Sequence, residues 1–303
     1  MQQNKKIKKI KSLKENLVTY SMLFPFTVFF VVFLLIPIIS AIVISFTNFN
    51  MLQLPKLIGI DNYIRLIFSD DIFIKALKNT LVFALLTGPA GYLLSFALAW
   101  IINEFSRRIR AVMTLIFYAP ALAGNIFFIW IYLFSGDSFG FVNSNLMKLG
   151  IISEPIIWLS DVRYNLWVCV IVVLWMSMGV GFLSFIAGFQ SQNNELYEAG
   201  AIDGIKNRFQ ELWYITLPQM GPMLMFGAVM TIAGSFAVGY QTAQLTGFPS
   251  TDYSTHTLLL HMIDYGSMRY EMGYASAIAV SLFFLMVLAW KYIEKILRIF
   301  SDE

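Results

Sequence analysis

The chain has 303 residues, 58% of them apolar and only 13% charged, with a net charge of +3, and its mean hydropathy is +0.70. A soluble domain carries about a quarter charged residues, so the composition excludes a water-covered globule and points to a polytopic, all-α membrane protein. A balance this near neutral does not suggest a nucleic-acid partner, and one cysteine, Cys169, excludes an intrachain disulfide or a cysteine metal site.

The N-terminus reads KKIKKIKSLKE, and residues 16–55 follow without a charge. That run exceeds the roughly 7–15 apolar residues of a secretion signal, and no A-x-A pattern closes it. A retained first span behind a basic anchor at 1–15 is expected. Five further charge-free windows follow at 79–103, 111–136, 164–194, 212–251 and 272–290. The last has 19 residues, about 28 Å as a helix at about 1.5 Å per residue, close to the thickness of a bilayer core. Strand-type alternation is absent, so six transmembrane helices in one membrane domain over 1–303 are expected. Prolines 25, 37, 89 and 120 read as kinks or ends of these spans.

Lys and Arg set the orientation. With the N-terminus inside, 14 of the 21 basic residues fall on the cytoplasmic side, and the inner segments are net +5 against −2 outside. Both termini, including the tail at 291–303, are then expected in the cytoplasm. The outer segments, near 47–73, 135–163 and 247–270, are too short for cores of their own. In them Asp70, Asp71, Asp252 and Asp264 read as solvated loop acids or contacts for an outside protein. His256 and His261, five residues apart, do not share a helix face and do not suggest a metal site.

Between the fourth and fifth windows lies a polar stretch at 195–218, ELYEAGAIDGIKNRFQELWYITLP, with four acids and two bases. It reads as a helix over 195–203, a left-handed stop at Gly204 and a second short helix over 206–214. Pro218 suits the first turn of the fifth span. Ala199, Gly200, Ala201 and Gly204 leave room for close approach by another surface. A loop resting on lipid headgroups would favour a basic polar face; the acidic excess here argues for a protein partner.

These residues resemble the signature of binding-protein-dependent ABC importer permeases, the EAA loop. It reads Glu198-Ala199-Gly200-Ala201-Ile202-Asp203-Gly204, then Phe209, then Ile215-Thr216-Leu217-Pro218. Gly200 and Ile205 depart from the usual Ala and small residue, and the Gly204-to-Phe209 spacing is one residue longer than in the maltose permease pattern. LFPFTVFFVVFLLIPIISAIVISFTNFN with GIDNYIRL, YAPALAGNIFFIWIYLFSGDSFGFVN and EMGYASAIAVSLF extend the likeness over nearly the whole chain. GIDNY suits the maltose-permease first-subunit type of the carbohydrate branch.

The resemblance implies a type I ABC importer permease fold in a bacterial or archaeal cytoplasmic membrane. It implies a role as half of a sugar or oligosaccharide path, coupled to ATPase subunits through Glu198, Ala199, Gly200, Asp203, Gly204, Phe209, Leu217 and Pro218. The implied partners are a second, homologous permease, two ATPase subunits (a dedicated homodimer or a shared ATPase) and an extracytoplasmic sugar-binding protein. ATP and Mg would be bound by the ATPase; this chain would bind no cofactor and catalyse nothing. Gly-Lys, which a phosphate-binding P-loop needs, does not occur in it. Sugar contacts implied by the same likeness are Met176, Ser177, Thr231 and Ser235; Trp175, and Tyr240 and Gln241 nearer the outer end or its vestibule, join the candidate path as aromatic and polar residues in apolar spans. Ser and Thr in membrane helices also serve helix packing, so that reading stands beside the first. Val180 departs from the maltose pattern, and maltose itself is not favoured. A stand-alone secondary carrier is the alternative, but the six windows hold none of the intramembrane charges that ion coupling uses.

Overall fold

The computed structural model describes residues 19–124 and 126–301, with side chains as far as 295. The basic anchor at 1–15 and the side chains of Arg298, Asp302 and Glu303 lie outside the described residues. The elements are α1 (Thr19–Ile44), α2 (Asp61–Phe68), α3 (Asp71–Asn103), α4 (Arg107–Leu122), α5 (Phe127–Leu133), α6 (Phe141–Lys148), α7 (Asn165–Trp175), α8 (Val180–Gln190) and α9 (Asn194–Ile202). Then come α10 (Arg208–Gln219), α11 (Gly221–Phe236), α12 (Tyr240–Thr246), α13 (Leu258–Ile263) and α14 (Met272–Ser301). The described residues hold no strand beyond one isolated bridge, Thr47 to Leu57.

α3 is the hub. Its 33 residues extend about 50 Å at about 1.5 Å per residue, more than an apolar bilayer core of about 30 Å. Part of the surplus is at its start, which carries Asp71, Lys75 and Lys78. α3 packs against α7, α8, α11 and α13, and α8 also packs on α11. Small residues allow that approach. A Cβ on Gly227 of α11 would run into the Phe185 ring of α8, and a Cβ on Gly188 would lie 2.7 Å from Met220 Cε. Around these contacts Phe182, Phe185, Phe189, Met220 and Leu224 form one buried cluster. Phe83, Val168, Val172 and Val238 form a second, and Phe73, Phe236, Leu258 and Ile278 belong to a third.

Among the described residues, four helices are long and apolar enough to cross a membrane unbroken, and up to six spans result when two bent pairs are each counted as one. The window at 16–55 is helical only to Ile44. The window at 111–136 breaks after Leu122 and resumes at Phe127 as α5. Residues 164–194 are interrupted at 176–179, where Gly179 adopts φ −93°, ψ −144°. The fifth window was expected to open on Pro218. Instead α10 meets α11 at 83°, and Pro222 stands in the first turn of α11; a second break follows at 237–239. A proline has no N–H to lose in a first turn, so either position is chemically allowed, and the bend at Met220 selects the later one. The expected tail at 291–303 continues α14 as helix through Ser301.

Candidate functional site

Two regions carry the residues singled out in the sequence. The first is the elbow, α9 and α10. Asn193 caps α9 by accepting from Glu195 N at 3.0 Å. The helix ends at Asp203, and Gly204 takes φ +98°, a left-handed value that glycine adopts without strain. Ile205 N then donates to Gly200 O at 2.9 Å, the closing bond of a Schellman turn. α10 starts two residues later than expected because Asn207 caps it, accepting from Gln210 N at 2.9 Å. Gln210 Oε1 reaches back to Lys206 N at 2.8 Å. The N-x-x-Q pattern was a legible start signal.

The elbow closes on itself through Tyr197 and Gly200. Tyr197 OH lies 2.8 Å from Thr216 Oγ1, and a Cβ on Gly200 would lie 2.6 Å from Ile215 Cδ1 and 3.0 Å from Ile205 Cδ1. Gly200 therefore spends its small size inside the elbow and is buried, whereas the sequence placed it on a surface offered to a neighbour. Ile205 fills the space beside it. The face turned outward holds Glu198, Ala199, Ala201, Ile202, Asp203 and Gly204, all exposed; Ile202 is 87% exposed. Among the described residues Glu198 makes no ion pair. A five-residue π turn, Leu212–Thr216, shifts the register ahead of Leu217 and Pro218; Leu217 packs into the cluster around Phe185, and Pro218 is exposed.

Contacts between the elbow and the end of α3 were not foreseen. Arg208 reaches Glu104 at 3.2 Å and Glu211 at 2.7 Å. The Phe209 ring stands edge-on to Trp100 at 5.2 Å. Between them is an open pocket of about 350 Å³, polar on the Glu104, Arg208 and Glu211 side.

The second region lies around the helix breaks. Ser177 sits in the break between α7 and α8. Its Oγ donates to Leu174 O at 2.7 Å, and its carbonyl accepts from Gly179 N at 2.8 Å and from Ser95 Oγ at 3.4 Å. Thr231 donates to Gly227 O at 2.8 Å and Ser235 to Ile232 O at 2.9 Å. Ser177 abuts Gly91 of α3, Ser235 abuts Gly88, and Thr231 faces Gly181. The structure thus gathers Ser177 and Ser235 on one strip of α3, each hydroxyl proton held by its own chain, each oxygen able to accept.

The aromatic positions gather elsewhere. Trp175 stands edge-on to Trp130 at 5.3 Å and Tyr240 edge-on to Phe127 at 5.6 Å, so both meet α5. Met176 packs in the same cluster. Gln241 Oε1 accepts from Gly239 N at 3.3 Å, reaching back across the start of α12. The sequence does not single out Trp130 and Phe127, because nothing in the spacing of IFFIWIYLF says which rings turn inward.

The model of the family described as "Binding-protein-dependent transport system inner membrane component" matches residues 89–295, which include the elbow and both groups of central residues. The chain belongs to this family. It is 30% identical over 280 residues to the probable ABC transporter permease protein YesP of Bacillus subtilis (strain 168), covering 90% of this chain and 88% of that one. It is 28% identical to the lactose transport system permease protein LacF of Rhizobium radiobacter, covering 85% and 86%. A chain of a bacterial alginate ABC transporter, solved in complex with an alginate pentasaccharide-bound periplasmic protein, superposes with a TM-score of 0.73 at 24% identity. That match covers 93% of this chain and 94% of the other, and it shares the fold. The type I importer permease architecture expected from the elbow motif is therefore present.

Proposed function

We propose that this chain is the permease subunit of an ATP-driven sugar or oligosaccharide importer. It supplies half of the translocation path and is driven through the elbow. The observation that carries the reading is the elbow itself, a two-helix surface element that turns Glu198, Ala199, Ile202 and Asp203 outward and joins α8 to α11 without interruption of the chain. Force applied to that face reaches both central helices, and through Arg208 and Phe209 it reaches α3 as well. The lactose and alginate transporters among its likenesses support a carbohydrate.

In this reading an extracytoplasmic binding protein delivers the sugar, a second permease completes the path, and two ATPase subunits bind ATP and Mg. The elbow lies on the cytoplasmic side, as the Lys and Arg bias requires. Glu198 pairs with a basic residue of the ATPase, and Ala199, Gly204 and Phe209 shape the fit, with Gly200 and Leu217 setting the elbow from within. Hydroxyls at Ser177, Thr231 and Ser235 accept hydrogen bonds from the sugar, and Trp175 and Tyr240 offer ring faces to its C–H surfaces.

The test is purification of the tagged chain in mild detergent from its native membranes, with mass spectrometry of what accompanies it. Recovery of a P-loop ATPase and a second permease is the expected result. A chain that purifies alone and moves sugar in ATP-free vesicles overturns the reading in favour of a stand-alone carrier.

A further inference from the structure

At the end of the bundle opposite the elbow lies a chain of buried polar groups that neither the elbow nor the central path uses. Asp70 caps α3, its Oδ1 accepting from Phe73 N at 2.9 Å. Its Oδ2 accepts from Tyr274 OH at 2.6 Å and from His261 Nε2 at 3.0 Å. His261 Nδ1 lies 3.3 Å from His256 Nε2. Both histidines are at least 98% buried, and the Asp70 side chain is only 7% exposed.

With both rings neutral, this chain of bonds sets the protons. A carboxylate can only accept, so His261 carries its proton on Nε2 and offers a lone pair at Nδ1. His256 then donates from Nε2, which leaves a bare lone pair at its Nδ1. That atom is buried and has no partner.

The loop bearing His256 is held on α3 by further bonds. Asn79 Nδ2 donates to the carbonyls of Tyr253 and His256, each at 2.9 Å. Leu258 N donates to Thr80 Oγ1 at 2.9 Å. The His256 ring stacks on Phe248 with an interplanar angle of 5° and meets Tyr253 edge-on. The charged groups around it are Asp70 from α3, and Asp264 and Arg269 beyond α13; Arg65 of α2 and Glu271 pair just past Tyr265 and Tyr274.

We propose that Nδ1 of His256 is a proton-binding site, and that taking up a proton there releases the loop at 253–258 from the end of α3. With the loop closed, the lone pair faces no donor and an imidazolium would be buried beside a second histidine. Burial and then His261 push the His256 imidazole down to about 4. With the loop open, the ring meets water and titrates near its ordinary value of about 6.5.

The sign follows. The closed state binds fewer protons than the open state between about pH 6.5 and 4, so closure is complete above the upper value and weakens as pH falls toward the lower one. Burial pushes the Asp70 carboxyl up, but the hydrogen bonds from His261, Tyr274 and Phe73 outweigh it and hold it well below the usual carboxylate range. Asp70 therefore adds an acid effect only below about pH 4, outside the histidine window. None of this rests on the transport reading.

The test is hydrogen exchange with mass spectrometry on the full chain in lipid nanodiscs, from about pH 7.5 to about pH 4.5, corrected for the chemical exchange rate. Protection of 253–258 is expected to fall about tenfold per pH unit below about pH 6.5, the slope for one proton, while α8 stays constant. In His256→Gln, which keeps an N–H for His261 but cannot titrate, that slope is lost. His256→Phe, which keeps the stack on Phe248, serves if the glutamine variant does not assemble, and it too is expected flat. A pH-independent wild type, or a variant as steep as wild type, overturns the proposal.

Discussion

The two ends of the bundle handle polar residues in opposite ways. At the elbow, charges lie in water: Arg208 is 63% exposed while it pairs with Glu104 and Glu211, and Glu198 has no ion-pair partner among the described residues. At the far end, polar side chains are folded inward onto one another. Asp70, His256 and His261 are buried in one relay, and at its half-exposed edge Arg65 lies 4.1 Å from the centre of the Tyr274 ring while pairing with Glu271. The far end turns most of its buried polar groups onto one another; the elbow leaves Glu198, Asp203 and the Ile202 side chain exposed for another surface. Buried polar groups are costly when a partner is removed, whereas exposed pairs contribute little. The difference therefore predicts where mutations damage folding and where they damage only function.

The largest effect is expected at the far end. Asp70→Ala removes a helix cap and leaves His261 and Tyr274 with buried, unmet donors, a loss of about 3 kcal/mol, read as a lowered unfolding temperature in nanodiscs. Next comes the α8–α11 contact. In Gly227→Ala the new Cβ meets the Phe185 ring, which is wedged edge-on against Tyr92 and Phe96 at 5.3 and 5.5 Å and cannot swing away; a loss of about 2 kcal/mol is expected.

At the elbow the same change is mild. Gly200→Ala meets only the tips of Ile215 and Ile205, which rotate, so the loss stays below about 1 kcal/mol. An exposed pair contributes less again: a double-mutant cycle on Arg208→Ala and Glu104→Ala should return a coupling of about 0.5 kcal/mol or less. A value several times larger would mean that the elbow end is buried in the working assembly. At the bottom of the scale, Glu198→Ala changes stability by no more than about 0.5 kcal/mol, yet on the proposed function it abolishes ATP-driven uptake while the complex still assembles. Normal uptake by that variant would remove Glu198 from the coupling.

What the sequence disclosed follows the range of the interaction. Spans were legible because the absence of charge over about 20 residues is a local property. So was the turn at Gly204, where a single glycine marks a left-handed stop. The breaks after Leu122, at 176–179 and at 237–239 were not, because glycines and small residues are tolerated in unbroken membrane helices too. Pro218 and Pro222 could each open a helix, and only the packing of Met220 under α8 decides between them. Gly200 looked like a surface residue since its neighbour, Ile215, lies beyond the turn. The relay was invisible for the plainest reason: Asp70 and His261 are 191 positions apart, and the spacing of His256 and His261 excludes a shared helix face but says nothing of a loop folding one ring back onto the other.

The contrast between the ends is tested most directly by a photo-crosslinking residue placed at Ile202 on the elbow and, separately, at Asp252 on the far face, in the chain expressed with its native membrane partners. Position 202 is expected to capture a P-loop ATPase, and position 252 is not. An ATPase adduct at 252, or its absence at 202 in membranes that transport normally, would contradict it.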